Sequence, residues 1–472
     1  MRFVGREREL ALLERRLAGV RRSGRGELIA MRGRRRVGKS RLVEEFARRS
    51  GCPCVFYTAV QEEGEVELAR FTRAIERSGA PRHEAVGAGL RPETWEAALT
   101  LAADGVARTD PLLLVIDEFP YLAAKEPSIE AVLQMVWDRS LQDAPVMVVL
   151  IGSDEAMMSA LTEQGRPLYD RAREMVVEPL TPADIGDLLG LEPADAFDAY
   201  LVIGGYPVLA LEWGRGSTLQ SYVRDALADP TSFLVVSAER ALAAEFPTEA
   251  QARTVLGALG EGTSAHSRIL GHTSLSATSV NEALHLLTRK RVVRRLTPYS
   301  ARPAPKTALW EVIDPYMRFW LRFVNHKVDL LERGRGSLLL EDFKAGWPSF
   351  RGRAIEPVVR DSLERLLPNA TRFGGARHAG GYWNRTGTIE VDLVGGDTWP
   401  VAKEVSFVGS IKWRERQRFG AGDARALASR RDRVPGASEK TPLVGVSSSG
   451  FDPAITLDEA LSPADLAGAW HE

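Results

Sequence analysis

An α/β fold built on a parallel sheet is the class this 472-residue sequence predicts, and three observations carry it. First, an apolar run, Glu27-Leu28-Ile29-Ala30-Met31, leads into Gly33-Arg34-Arg35-Arg36-Val37-Gly38-Lys39-Ser40 and then into a helical pattern at Leu42, Val43 and Phe46. Second, Pro111-Leu112-Leu113-Leu114-Val115-Ile116-Asp117-Glu118 is apolar on both faces and ends in two carboxylates. Third, strand and helix patterns alternate to about residue 185. Continuous apolar strands suit a parallel sheet covered on both sides, and the alternation points to βαβ units.

The glycine loop satisfies G-x-x-x-x-G-K-[ST] with a strand before it and a helix after it, the context that confirms a phosphate-binding P-loop. Glycines let successive backbone N–H groups and the helix N-terminus face an anion. On this reading the segment from Gly33, Arg34, Arg35, Arg36, Val37 and Gly38 to Arg41 wraps the phosphates of a nucleoside triphosphate. Lys39 reaches the β- and γ-phosphates and the Ser40 hydroxyl sits on Mg²⁺.

The predicted strands are Glu27–Met31, Cys54–Tyr57, Leu112–Ile116, Val146–Ile151 and Glu174–Val177. Ligands of such sheets lie at the carboxyl ends of the strands, where Asp117 and Glu118 stand. Asp117 is then the residue to hold Mg²⁺ through water, and Glu118 the one to polarise an attacking water. Ser153, ending Val146–Ser153, either senses the γ-phosphate or caps the next helix, a common position for serine. Arg171, or Arg173 beside it, is either an arginine finger on the γ-phosphate or a surface ion-pair residue.

Downstream, Thr181-Pro182-Ala183-Asp184 opens a helical stretch with proline in its first turn. It runs to about Glu245, interrupted at Gly204-Gly205-Tyr206-Pro207, and reads as a helical lid (183–245) on the nucleotide domain (1–182). Three helical patterns follow, Thr248–Leu259, Ser264–Gly271 and Ser276–Arg289. Strand patterns at Val292–Leu296 and Ala308–Val312 flank Pro298–Lys306. Three helices and a hairpin describe a winged helix (246–320). Its third helix would offer Thr278, Asn281 and Arg289 to Arg291 to double-stranded DNA, and its wing Arg302 and Lys306 to phosphate. A protein-docking role fits the same pattern.

After a helical linker (321–346), a small α/β unit (347–472) is predicted. It has a helix Phe350–Leu367 carrying Glu356, a turn at Gly380-Gly381, a strand Thr388–Val394 carrying Glu390 and Asp392, and an extended segment Val401–Trp413 carrying Glu404 and Lys412. Carboxylates with a lysine on adjacent elements are the ingredients of a nuclease-like metal site.

Bulk properties bound the rest. Hydrophobic residues make up 44% of the chain, and the length suits roughly three domains. The net charge of −1 advertises no polyanionic partner, although Arg32, Arg34, Arg35 and Arg36 cluster, as do Arg289, Lys290, Arg291, Arg294 and Arg295. Two cysteines, Cys52 and Cys54, are too few for a disulfide framework or a zinc site. No leader or membrane-spanning run is visible, so a cytoplasmic protein without membrane partners is expected.

These marks together resemble the archaeal ATPase family, P-loop proteins allied to the AAA+ and STAND classes. They are Phe3-Val4-Gly5-Arg6-Glu7, the P-loop, Ile116-Asp117-Glu118-Phe119-Pro120-Tyr121-Leu122, Gly152-Ser153, Leu168-Tyr169-Asp170-Arg171, Gly204-Gly205-Tyr206-Pro207 and Asp314-Pro315-Tyr316-Met317-Arg318-Phe319-Trp320. The resemblance implies ATP rather than GTP, a winged helix, and a C-terminal restriction-endonuclease-like domain. Where such domains often carry Glu-x-Lys-Trp, this chain has Ser410-Ile411-Lys412-Trp413. Glu404 could replace the missing acid only if the strand broke, near Gly409, because eight extended residues span roughly 27 Å. The expectation is therefore a nuclease fold without robust cleavage. A Mg²⁺-dependent regulatory ATPase controlling DNA binding or assembly is the leading function. An ATP-regulated nuclease using Glu356, Asp392 and Lys412, and a STAND-type scaffold with protein partners or self-assembly, are the alternatives.

Overall fold

The computed structural model describes residues 3–246, 248–260, 262, 264–303, 308–369 and 371–471. The chain forms two compact units that divide after Pro179.

The first unit holds β1 (Glu27–Arg32), β2 (Cys54–Thr58), β3 (Leu112–Asp117), β4 (Val146–Gly152) and β5 (Ala172–Val176). They form one sheet in the order β2-β3-β4-β1-β5. Every pairing is parallel. β3 and β4 are buried along their whole length, as their unbroken apolar sequence requires. Because all strands run one way, their carboxyl ends share one edge. That edge collects the loop after β1, the acids ending β3, and Ser153 after β4.

The second unit begins with helices Pro182–Leu189, Pro193–Ile203, Leu219–Ala228 and Phe233–Glu245. They pack within the second unit. Helix Pro315–Phe323 supplies the contacts. The Tyr316 hydroxyl donates to the Leu234 carbonyl (3.0 Å) and accepts from the Ala238 N–H (2.9 Å), and Trp320 Nε1 donates to the Val235 carbonyl (2.7 Å). The interruption at Gly204–Pro207 meets the same helix, with the Tyr206 hydroxyl donating to Asp314. Gly205 has φ +76°, and a Cβ there would lie 2.1 Å from the Leu180 carbonyl oxygen. Two segments read separately from sequence are thus one joint.

Helices Ala250–Gly260, His266–His272 and Ala277–Arg289 precede an antiparallel pair, β6 (Val293–Leu296) and β7 (Leu309–Val312). Ala265 forms a further bridge to Leu309. The order is the expected one. The connection between the strands is not a free loop, however. Its Tyr299 is fully buried in the core of the last sheet, against Tyr382, Val391 and Val394. Backbone bonds join Tyr299 N–H to the Gly381 carbonyl (2.8 Å), Ala301 N–H to Pro435 (2.9 Å) and Ala402 N–H to Ser300 (3.1 Å). Lys306 lies outside the described residues.

A single helix, Gly336–Leu366, runs through the expected boundary at 346/347. Beyond it lie β8 (His378–Trp383), β9 (Glu390–Gly396), β10 (Val405–Lys412), β11 (Leu443–Ser447) and β12 (Glu459–Leu461), in the order β12-β11-β10-β9-β8. Gly380 and Gly381 sit inside β8 rather than in a turn. They are glycine because partners approach closely: a Cβ on Gly380 would meet the Tyr299 Cβ at 2.6 Å, and one on Gly381 the Arg360 guanidinium at 2.8 Å.

Candidate functional site

The loop after β1 turns on Gly33, whose φ of +154° is accompanied by a backbone approach so close that a Cβ would lie 2.2 Å from the Val177 carbonyl. Helix Lys39–Ser50 starts directly after Gly38. Lys39 is 7% exposed, and its ammonium donates to the carbonyls of Gly33 (2.7 Å) and Arg34 (2.9 Å). Burial pulls its pKa down to about 8, although Glu118 and Asp117 favour the charge. A buried ammonium held by neutral carbonyls is a cation short of an anion, and a phosphate would supply it.

The Ser40 hydroxyl donates to Asp117 Oδ2 (2.9 Å). Burial raises the Asp117 pKa, with the Ser40 bond opposing. A hydroxyl and a carboxylate side by side are hard oxygen donors that suit Mg²⁺, which takes one or two protein ligands and completes its shell with phosphate and water. Among the described residues no cluster of three or more Asp, Glu, His or Cys side chains could hold a metal by itself.

Glu118 follows in a left-handed conformation, φ 51° and ψ 45°, at the start of helix Phe119–Lys125. A non-glycine residue there costs about 1–3 kcal/mol and persists where surroundings enforce it, commonly at functional sites. Its N–H donates to Asp117 Oδ1 (3.0 Å), and its carboxylate accepts from the Ser153 hydroxyl at 3.0 and 3.2 Å. Asp154, not Ser153, caps the next helix, accepting from the Met157 N–H (3.0 Å). Ser153 is thereby left to hold Glu118.

The arginines separate by position. Arg35 donates to the Tyr121 hydroxyl (2.8 Å), and Arg41 pairs with Glu44 at the surface (3.1 Å). Arg32 is buried against Glu174, so it is no phosphate ligand. Arg171 does not join the site. It precedes β5, whose first residue Ala172 aligns with Leu28 at the start of β1, the edge opposite the P-loop. There it makes a two-pronged pair with Asp138 (2.7 and 2.8 Å), while Arg173 pairs with Glu27 (2.7 Å). The surface ion-pair reading is the one the geometry matches, and neither arginine reaches its own chain's γ-phosphate position. Two residues carrying no sequence-based role do belong: Arg6, which is buried and donates to the Val37 carbonyl from below (2.8 Å), and Tyr121. The signal for both was their place in the motifs Phe3–Glu7 and Ile116–Leu122.

In the second unit, Asp392 on β9 faces Ser410 on β10. Its Oδ2 accepts from the Ser410 hydroxyl (2.9 Å) and the Ile411 N–H (2.8 Å), and Lys412 Nζ lies 4.0 Å away. Glu356 is half-buried nearby and bonded to Arg360 (2.8 Å), which also donates to the Asp392 carbonyl (3.0 Å). Burial pushes Glu356 up to about 7, against the pull of Arg360 and with repulsion from Asp392 and Glu390. Glu356, Asp392 and Lys412 therefore converge, but Glu404 does not. β10 is unbroken at Gly409, which leaves Glu404 at the far end of the strand from Lys412.

On helix Ala277–Arg289, Thr278 and Asn281 are exposed, and the Asn281 side chain is bonded to His266 (2.9 Å). Lys290 is held by the Glu245 carbonyl (2.7 Å) over the Phe246 ring. Arg289, Arg291 and Arg302 are exposed.

Two regions of the chain match known protein families. Residues 3–209 match the ATPase domain found predominantly in Archaea, and residues 320–423 match archaeal and bacterial proteins of unknown function. An uncharacterized protein of Methanocaldococcus jannaschii is 23% identical over 417 residues, 88% of each chain. Among solved structures, the Walker-type ATPase PABY2304 of Pyrococcus abyssi is similar at 17% identity and TM-score 0.47, over 68% of this chain and 96% of that one. The ORC2 protein of Aeropyrum pernix is similar at 16% identity and TM-score 0.43, over 72% and 95%. No helix among the described residues is long and apolar enough to cross a membrane. With the P-loop and the paired acids of β3 inside it, the region 3–209 is a domain of the archaeal ATPase family, followed along the chain by the second matched region.

Proposed function

We propose that this protein is a Mg²⁺-dependent, slowly hydrolysing ATPase that acts as a regulatory switch. The observation that carries it is the convergence of Lys39, Ser40, Asp117, Glu118 and Ser153 on one edge of the first sheet. Gly33 to Arg36 and Val37 to Lys39 would cradle the phosphates of ATP, Ser40 and Asp117 would hold Mg²⁺, and the metal would supply charge neutralisation there. Glu118, fixed by Ser153, is the base that would orient water. The lowered pKa of Lys39 gives the test. Without nucleotide the ammonium loses its proton near pH 8, while a bound phosphate favours the charged form. Affinity for a fluorescent ATP analogue with Mg²⁺ should therefore be flat below pH 8 and fall above it, approaching tenfold per pH unit. No binding at any pH would overturn the assignment.

The switch's output is read as double-stranded DNA through helix Ala277–Arg289, supported by the exposed Thr278, Arg289 and Arg291. Anisotropy of labelled duplex should differ among nucleotide-free, ADP and ATP-analogue states. A shift in molecular mass with nucleotide and no duplex binding would move the output to assembly or a protein partner. The nuclease alternative is the weaker reading, because Ser410 stands where a metal-binding carboxylate is needed and Arg360 already neutralises Glu356.

A further inference from the structure

Trp399 is 52% exposed although the chain buries most of its large aromatic residues. It is held in place rather than loose. Its ring lies on Tyr299 (centroids 5.0 Å apart) and near His378 (6.4 Å). Tyr299 is itself anchored by its hydroxyl to the Thr398 carbonyl (2.9 Å). Three exposed cations lie on three segments whose backbones bond to, or adjoin, the segment carrying Trp399. Arg377 adjoins His378, and its N–H bonds the Gly396 carbonyl (2.8 Å). The Lys403 N–H bonds Thr398 Oγ1 (3.2 Å) and Asp397 Oδ1 (2.9 Å). Arg302 follows Ser300, whose carbonyl accepts from Ala402. Three acids share the region: Asp397, with one oxygen engaged by the Lys403 and Glu404 N–H groups, the exposed Glu404, and Glu364, which acts on Tyr299 and accepts from the Ala379 N–H (3.4 Å).

A single exposed tryptophan is unremarkable by itself. A preoriented aromatic face with exposed cations on the adjoining segments is different: it is the combination that holds unpaired bases by stacking and their phosphates by charge. We propose that the Trp399 face, built jointly by the β6–β7 connection and the last sheet, binds single-stranded nucleic acid. The surface exists because Tyr299 carries the connection, with Arg302 on it, into the last sheet and against the Trp399 ring. It deepens the nucleic-acid output proposed above, yet it is separate from helix Ala277–Arg289, so the two can fail independently.

The experiment is anisotropy of a labelled oligothymidylate on the full chain, across a salt series. Wild type should bind, Trp399→Ala should weaken binding roughly tenfold, and Trp399→Phe should keep most of it. Arg302→Ala and Lys403→Ala should each lower the salt dependence by about one released ion. Thr278→Ala with Asn281→Ala should leave oligothymidylate binding unchanged while lowering duplex binding. Two results would overturn the proposal. One is an absence of oligothymidylate binding, or equal binding by wild type and Trp399→Ala with identical salt dependence. The other is poly-glutamate peptide binding as tightly and being lost equally in Trp399→Ala, which would assign the face to acidic protein. Trp399→Phe guards against misfolding, since it keeps the ring on Tyr299.

Discussion

Lys39→Ala is expected to abolish ATP binding, whereas Glu118→Gln is expected to keep it and to cut turnover roughly 10²–10⁴-fold, the range typical of a lost general base. The contrast follows from where each side chain ends. Lys39 is the buried cation whose partners are carbonyls, so its loss removes the charge that a phosphate would meet. Glu118 points instead at Ser153, and glutamine preserves its shape while removing its basicity. Isothermal titration with ATP and Mg²⁺, paired with phosphate release over hours, reads both. Ser153→Ala should fall between, with binding intact and turnover reduced, because the carboxylate loses the hydroxyl that orients it. Equal ATP affinity in wild type and Lys39→Ala would remove the basis for the site.

Arg351→Ala is expected to destabilise the second unit by about 3–5 kcal/mol, the cost of leaving a buried charge without its partner. Arg351 Nε bonds Asp198 Oδ1 at 2.7 Å, Trp413 Nε1 bonds the same oxygen at 2.9 Å, and both charged residues are buried. Burial already raises the Asp198 pKa, with the Arg351 bond opposing it. Removing Arg351 should raise it further, so protonation would neutralise Asp198 as pH falls. The loss should accordingly be larger at pH 8 than at pH 5. Asp198→Leu combined with Arg351→Leu should cost far less than the single change. Urea denaturation of the full chain measures these differences, and nucleotide binding reports separately that the first unit stays folded.

The parts that were legible in the sequence were local. β1, the glycine loop and its helix lie within one short segment, and β3 and β4 announce themselves by unbroken apolar runs. The site at their carboxyl ends followed from strand direction. What stayed hidden depended on contacts between distant segments. Nothing near Tyr299 says that Gly380 and Gly396 have given up their side chains to admit it. Gly380-Gly381 therefore read as a turn, since glycine pairs usually mark one. Arg171 read as a finger because its motif adjoins the nucleotide strands, and only the register of β5 reveals the wrong edge. The packing partner of the helices after Thr181, Pro315–Phe323, likewise lies far along the chain.

The buried Tyr299 also bears on how such a protein can evolve. Domains are traded between genes most readily where the seam between them carries little packing. Here the last sheet borrows a core residue from the hairpin that precedes it by three helices. A copy of that sheet moved elsewhere would arrive with a hole lined by Gly380, Gly396 and Val394. Hairpin, intervening helices and sheet are therefore one heritable piece.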